Sequence, residues 1–263
     1  MSNLKERIRA GERVFGTFLQ IGDPTMVEIL GRAGADFAII DFEHGGSGRG
    51  SVASLVRAGD VVGLPLLVRL SPDELSRASQ MLDAGISGVL VPQVTTPEQA
   101  AGAVAAARYG PLGERGACPG VRASDYGWLE WKDHEARADE RTIVAVALEG
   151  AAGLGAASEI AAVPGVDFLF VGVFDLAHSL GHAGEVEHPE VIAGLRGIVD
   201  KASASGVAVG TWAPDPQVAR RWATLGVTVI ATATDVILWR GACTELVASW
   251  RRIAQDLDGD GSG

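Results

Sequence analysis

The stretch Ile143-Val144-Ala145-Val146-Ala147-Leu148-Glu149 is followed, one helix-length later, by Phe168-Leu169-Phe170-Val171-Gly172-Val173-Phe174-Asp175. Each is a run of apolar residues too continuous to have a wet face, which marks a buried parallel strand. With a single helix-sized segment between them, the two strands become parallel neighbours. Their carboxyl ends then open on one face, where α/β folds place ligands, and there each run closes in an acid. Either acid alone reads as a first-turn helix residue. As a pair, Glu149 and Asp175 repel, and one must take up a proton unless a cation lies between them. Oxygen ligands without a Cys or His cluster suit a hard divalent ion such as magnesium or manganese.

The same unit recurs along the chain. A helical stretch ends in Gly, and a short apolar strand follows: Gly34 before Phe37–Ile40, Gly85 before Val89–Val91, Gly165 before Phe168–Val171, Gly206 before Val207–Val209, Gly226 before Val227–Ile230. The Gly is the positive-φ residue that ends a helix. Runs near 14–19, 64–69 and 143–148 bring the count to eight strands. Helices are predicted near 24–33, 50–60, 73–84, 97–108, 152–162, 189–204, 215–225 and 235–255. Eight βα units in this length predict an α/β fold, a single (β/α)8 TIM barrel over residues 1–255 with an N-terminal helix. The Gly/Asp-rich residues 256–263 read as a disordered tail. The longest irregular part, Tyr109 to Arg141, falls between strands four and five.

Hydrophobic residues make up 47% of the 263, enough for a sizeable core. A net charge of −11 argues against nucleic acid or an anionic membrane as the main partner, while leaving room for a small anionic substrate. Cys118 and Cys243 are too few for a disulfide framework and lack zinc-site spacing, so they read as reduced thiols of a cytoplasmic protein. The charged start, Met1 to Arg7, has no apolar signal region, and no apolar run is long enough to span a bilayer.

Other polar residues fall on the same barrel face. Asp41-Phe42-Glu43-His44 follows strand two, Arg69 ends strand three and Gln93 follows strand four. His44 there suits a general base, or else a loop imidazole bonded to backbone. Arg69 suits a carboxylate or an enolate, or else a structural ion pair with Asp41 or Glu43. Gly150-Ala151-Ala152-Gly153-Leu154-Gly155 follows a strand and approaches a dinucleotide-binding loop. Its spacing is G-x-x-G-x-G rather than G-x-G-x-x-G, and it lies mid-chain.

Several ordered motifs carry a resemblance. They are Ile39-Ile40-Asp41-Phe42-Glu43-His44, Val68-Arg69, Leu82-Asp83-Ala84-Gly85 through Val91-Pro92, Arg108-Tyr109-Gly110-Pro111-Leu112-Gly113-Glu114-Arg115-Gly116, Phe170 to Leu176 with Ser179-Leu180-Gly181, and His188-Pro189-Glu190-Val191. From about Val14 to Trp250 the chain resembles the HpcH/HpaI aldolase family, metal-dependent 2-keto-3-deoxy-acid aldolases of the phosphoenolpyruvate/pyruvate barrel superfamily. The resemblance implies that Glu149 and Asp175 ligate a divalent ion: magnesium, manganese or cobalt. It implies that Arg69 polarises the keto oxygen, and that His44, paired with Asp83, acts as base. Phe18, Gly172, Val173, Phe174 and Asp175 would line the substrate site, with backbone amides near Phe174 and Asp175 receiving the substrate carboxylate. It also implies a homo-oligomer, a trimer of dimers in the family, with the C-terminal helix exchanged or packed between subunits. The apolar Ile237, Leu238, Trp239, Leu246, Val247, Trp250 and Ile253 fit this, against ordinary packing on the chain's own barrel.

The departures lie on the acceptor side. Ala147 stands where the family carries Gln, Val173 where it carries Pro, Phe18 where it carries Trp, and His178 where a small or polar residue is common. The expected activity is therefore a class II aldolase acting on a 4-hydroxy-2-keto acid, with pyruvate or a related keto acid and an aldehyde as products. The alternatives are another enolate-based reaction such as decarboxylation, a non-catalytic ligand-binding barrel, and a dinucleotide-dependent oxidoreductase.

Overall fold

Eight parallel strands close into a barrel in chain order: β1 (Val14–Leu19), β2 (Phe37–Asp41), β3 (Leu66–Arg69), β4 (Gly88–Val91), β5 (Ile143–Leu148), β6 (Phe168–Val171), β7 (Ala208–Ala213) and β8 (Val229–Thr234). β8 returns to pair with β1. This computed structural model describes residues 3–46 and 52–260. Twelve helices are assigned among them: α1 (Leu4–Arg9), α2 (Pro24–Arg32), α3 (Val52–Val62), α4 (Ala78–Asp83), α5 (Pro97–Ala107), α6 (Trp131–Arg141), α7 (Ala151–Gly155), α8 (Ala157–Ala161), α9 (Val173–Ser179), α10 (Pro189–Ala204), α11 (Pro216–Thr224) and α12 (Asp235–Asp260).

The period of two along a strand divides the core into two shells. On β5, Val144, Val146 and Leu148 face outward into the layer under the helices. Ile143, Ala145 and Ala147 face inward, with Phe18, Phe37, Phe168 and Phe170 among their neighbours in the barrel interior. α1 closes the amino-terminal mouth. An Asn3–Glu6 capping box starts this helix, and its Leu4 and Ile8 join the interior cluster. Lys5 between them is buried, donating to Asp139 O at 2.6 Å and lying 3.6 Å from Asp167. Burial pulls the Lys5 ammonium down to about 8 against the pull of Asp167. Asp167 also accepts from Arg108 Nη2 at 2.6 Å and from the Val144 amide at 2.9 Å, so its charge is fully partnered.

Several boundaries differ from expectation for local reasons. The helix predicted at 73–84 starts as a 3-10 turn, Leu75–Arg77, before α4. The one at 152–162 breaks at Ala156 into α7 and α8. The long irregular segment holds α6, whose Trp-Lys-Asp-His-Glu-Ala-Arg-Ala-Asp-Glu-Arg sequence lacks a continuous apolar stripe and so hid it. α9 was hidden because Phe170 to Phe174 reads as one apolar strand; the chain turns at Gly172 instead. α12 continues through residues 256–260 of the predicted tail, while 261–263, like positions 50 and 51 of the helix predicted at 50–60, lie outside the described residues.

Candidate active site

The carboxyl ends of the strands gather the polar residues that the spacing pointed to. Asp41 is the last residue of β2 and Arg69 the last of β3, and the two are register partners across the sheet. Arg69 grips Asp41 fork to fork, Nε to Oδ1 at 3.0 Å and Nη2 to Oδ2 at 2.9 Å. Asp41 is completely buried and also accepts from the backbone amides of Glu43 (3.1 Å) and His44 (3.2 Å) and from Gln20 Nε2 (3.2 Å). Burial alone would raise its pKa. The hydrogen bonds and charge of Arg69, with those amides, outweigh it and hold Asp41 below the usual carboxylate range. The structural ion pair weighed for Arg69 is therefore present, and the third guanidinium nitrogen, Nη1, lies 3.2 Å from Glu43 Oε2. The guanidinium rests over the Phe18 ring at 4.8 Å, and Phe18 in turn meets Phe170 edge-on. Phe18 thus sets the height of Arg69 above the barrel interior.

Glu43 entered the sequence-based expectation only as a possible ion-pair partner of Arg69, and the structure places it in the middle of the group. Its Oε1 accepts from Gln93 Nε2 at 3.2 Å, and its Oε2 is buried without a hydrogen-bond donor. Arg69 Nη1 lies 3.2 Å from that oxygen without completing a hydrogen bond, so its charge is met only in part and leaves room for a further cation. Gln93 adopts a left-handed backbone, φ +57°, and its backbone N–H donates to Glu149. A non-Gly residue at positive φ is a strained choice that points to a local requirement. The D-x-E-H spacing was the available signal for Glu43; for Gln93 there was only its place after strand four.

Glu149 and Asp175 do come together. Gly172 lies between them: a Cβ built there would sit 2.9 Å from Glu149 Cγ and 3.3 Å from Asp175 Oδ2. Burial, then the charges of Glu43 and Asp175, push the Glu149 carboxyl up to about 7, against Arg69 and the Gln93 amide. Three carboxylates facing one partly engaged guanidinium leave a surplus of negative charge. The lifted acid, the donor-less Glu43 oxygen and the absence of a side chain at Gly172 fit a divalent cation held by oxygen ligands.

The remaining expected residues divide. The side chain of Val173 is buried in the core, so only its backbone is offered to a ligand, whereas Phe174 is 55% exposed at the mouth. The amides of residues 173–175 precede the first intrahelical bond of α9, Leu176 N to Gly172 O at 2.8 Å. The His44 side chain is 62% exposed, its Nε2 3.9 Å from Glu43 Oε2. Asp83 is not beside it. It ends α4, just before β4 begins, which puts it at the amino-terminal mouth, where it pairs with Arg115 Nη2 at 2.7 Å. Within one chain the structure therefore does not form the His44–Asp83 pair. The glycine-rich stretch 150–155 builds α7, and its Gly153 packs tightly: a Cβ there would lie 3.2 Å from Val94 O and 3.3 Å from Leu148 Cβ. That close approach explains this glycine without a nucleotide.

The closed (β/α)8 barrel gathers these acids and one arginine at the ends of β2, β3, β5 and β6, and the aldolase family and aldolase relatives that the chain matches make it a carbon–carbon lyase. The sequence model of the HpcH/HpaI aldolase/citrate lyase family matches residues 14–242, and the chain belongs to that family. It is similar to a hydroxypyruvate/pyruvate aldolase of Cupriavidus necator, 37% identical over 96% of this chain and 93% of that one. It is similar, too, to a 5-keto-4-deoxy-D-glucarate aldolase of Escherichia coli, 32% identical over 95% and 97%. The crystal structure of an HpcH/HpaI aldolase/citrate lyase family protein from Burkholderia cenocepacia superposes with a TM-score of 0.87 at 36% identity, covering 94% of this chain and 98% of that one.

Proposed function

We propose that this lyase is a divalent-metal-dependent aldolase that cleaves or forms a 4-hydroxy-2-keto acid, the products being pyruvate or hydroxypyruvate and an aldehyde. The observation that supports it most is the Glu149 carboxyl, lifted to about 7 beside Asp175 and Glu43 around the bare Gly172. Glu149 and Asp175 would hold the ion, with Glu43 adding negative charge beside them. When bound, the ion supplies Lewis-acid stabilisation of charge on the 2-keto oxygen.

The chain's own residues carry the rest. The substrate carboxylate is received by the amides of residues 173–175 at the start of α9. His44 takes the proton from the C4 hydroxyl, the C4 oxygen closes to a carbonyl, and the C3–C4 bond breaks. Its electron pair passes into the C2–C3 enolate, whose oxygen is met by Arg69 Nη1, the nitrogen that Asp41 leaves free. Protonation at C3 then gives the keto acid. In synthesis the order is reversed, and His44 returns the proton. Screening 4-hydroxy-2-keto acids for keto-acid release with magnesium, manganese and cobalt tests this directly. Full turnover in excess chelator would overturn the metal assignment.

One departure supports a second reading. Ala147 lies two residues before Glu149 on the inward side of β5, so a methyl group stands where the family carries an amide beneath the acid pair. An enolate-forming decarboxylation would need less from that position than aldol addition does. Carbon dioxide release from a 2-keto diacid, without aldehyde, would favour this second reading.

We further propose a cytosolic homo-oligomer. Among the described residues no helix is long and apolar enough to cross a membrane, and the two cysteines are free thiols. No residue from Val236 to Asp258 is buried, although Trp239 is 65% exposed and Trp250 57%. That apolar stripe projects from its own barrel and suits a second copy. The pairing of His44 with Asp83 then draws on Asp83 of a neighbouring copy.

A further inference from the structure

The connection from α9 to α10 carries three ligand-type side chains that the aldolase reading does not use. It runs Leu180-Gly181-His182-Ala183-Gly184-Glu185-Val186-Glu187-His188-Pro189-Glu190. Successive turn bonds curl it tightly: His182 N to Ala177 O at 2.8 Å, Glu185 N to His182 O at 2.9 Å and His188 N to Glu185 O at 2.9 Å. Gly181 and Gly184 supply the positive φ that these turns require. The outcome is that His182 and His188, six residues apart, stack face to face with ring centroids at 3.4 Å and planes 18° apart. Glu190, in the first turn of α10, brings Oε2 to 3.3 Å from His182 Nε2. One nitrogen from each imidazole and one Glu190 oxygen all lie within 4.8 Å of one another.

We infer that His182, His188 and Glu190 form a binding site for a borderline divalent transition-metal ion of the zinc type, separate from the carboxylate cluster. Two imidazoles and one carboxylate are the donor set that such ions prefer, whereas magnesium prefers oxygen alone. The local bonds explain part of the arrangement but not its convergence. His188 caps α10 through Nδ1, accepting from the Glu190 amide at 3.3 Å, which is long for a cap and weaker than Ser or Asp would provide. Surrendering that bond to free a lone pair costs little. The lone pairs of the stacked rings lie in near-parallel ring planes, so ligation of one ion requires the two rings to unstack and tilt toward each other about their side-chain torsions. An ion held there ties the loop end of α9 to the start of α10, and α9 is the helix that carries Asp175. The site braces that segment and takes no part in the bond-breaking step.

The test uses the full, tag-free chain in excess magnesium, which competes poorly for imidazole. Zinc binding is measured by equilibrium dialysis, and cobalt is added as an optical probe of nitrogen ligation. The wild type is expected to retain one zinc per chain. In His182→Asn and in Glu190→Gln, binding should weaken at least about tenfold. His182 is the imidazole to replace because it does not cap α10, and circular dichroism checks that the variants stay folded. The His182 and His188 ring protons should shift together on zinc addition in NMR. No zinc retained by the wild type, or unchanged affinity in His182→Asn, would overturn the site.

Discussion

Arg69 commits Nε and Nη2 to Asp41, at 3.0 and 2.9 Å, and turns Nη1 to the centre of the site, 3.2 Å from Glu43 Oε2. The pair is therefore both scaffold and reagent. Arg69→Lys keeps the charge and loses the planar fork. We expect kcat to fall by at least about 100-fold, the cost of losing a preorganised oxyanion donor. The melting temperature should also drop, because Asp41 is left buried with fewer partners. Steady-state kinetics and thermal melts read the two effects; an unchanged kcat would remove Arg69 from the chemistry.

Glu149 gives the site a pH signature. In the metal-free protein its carboxyl is raised from 4.5 to about 7, so the folded chain binds more protons than the unfolded chain in that window. Its contribution to stability is complete below about 4.5 and is lost as pH rises through about 7. Metal removes the effect, since binding requires the ionised form. Calorimetry of metal binding in buffers of different ionisation enthalpy should show proton release between those values, and Glu149→Gln should abolish both release and binding.

Gly172→Ala isolates the crowding between the two acids. The backbone there, φ −73°, accepts an L side chain, so any defect comes from the methyl group itself. That methyl meets Glu149 Cγ at 2.9 Å and Asp175 Oδ2 at 3.3 Å. Metal affinity should fall at least about tenfold while the fold persists. Dialysis against manganese measures it, and full affinity would mean that the acids do not close on one ion.

The separation of His44 and Asp83 to opposite mouths yields a mixing test. His44→Ala and Asp83→Ala should each be nearly inactive alone. If the dyad forms between copies, mixing and reassembling the two variants restores some sites with both residues intact. Recovered turnover in the mixture supports the arrangement, and none at all, with mixed oligomers verified by mass spectrometry, counts against it.

Leu246→Glu combined with Trp250→Glu places charge on the projecting face of α12. Light scattering should show an oligomer for the wild type and a monomer for this variant. A wild-type monomer at micromolar concentration would refute the proposed assembly.

The barrel was legible because its signal is repeated. Continuous apolar strands such as Ile143–Leu148, set off by helix-ending glycines such as Gly165, admit few other folds. The acid pair was legible for the same reason, since adjacent parallel strands fix where their ends fall. What escaped depended on side-chain packing or on assembly. Glu43 stood in plain view beside His44 as an ion-pair candidate for Arg69, yet its place beside Gln93 and Glu149 follows only from the packed side chains. The left-handed turn at Gln93 has no composition signal, because Gln is not a residue that favours it. Asp83 matched a motif, yet its place in the helix predicted at 73–84, just before Gly85 and strand four, already sets it at the mouth opposite His44; spacing could not reveal its partner, Arg115.

The α1 plug has a kinetic meaning. With Leu4 and Ile8 sealing the amino-terminal mouth and aromatic rings filling the interior, the barrel has a floor. Whatever binds at Glu149 arrives and departs through the same doorway, past His44 and Phe174. On the proposed chemistry, with the ion at Glu149 and Asp175 holding the keto acid, the keto acid would lie deeper than the aldehyde, entering first in synthesis and leaving last in cleavage. Turnover would then be a queue, and product-inhibition kinetics should show excess keto acid slowing cleavage by holding the one position that must empty before the next substrate is seated.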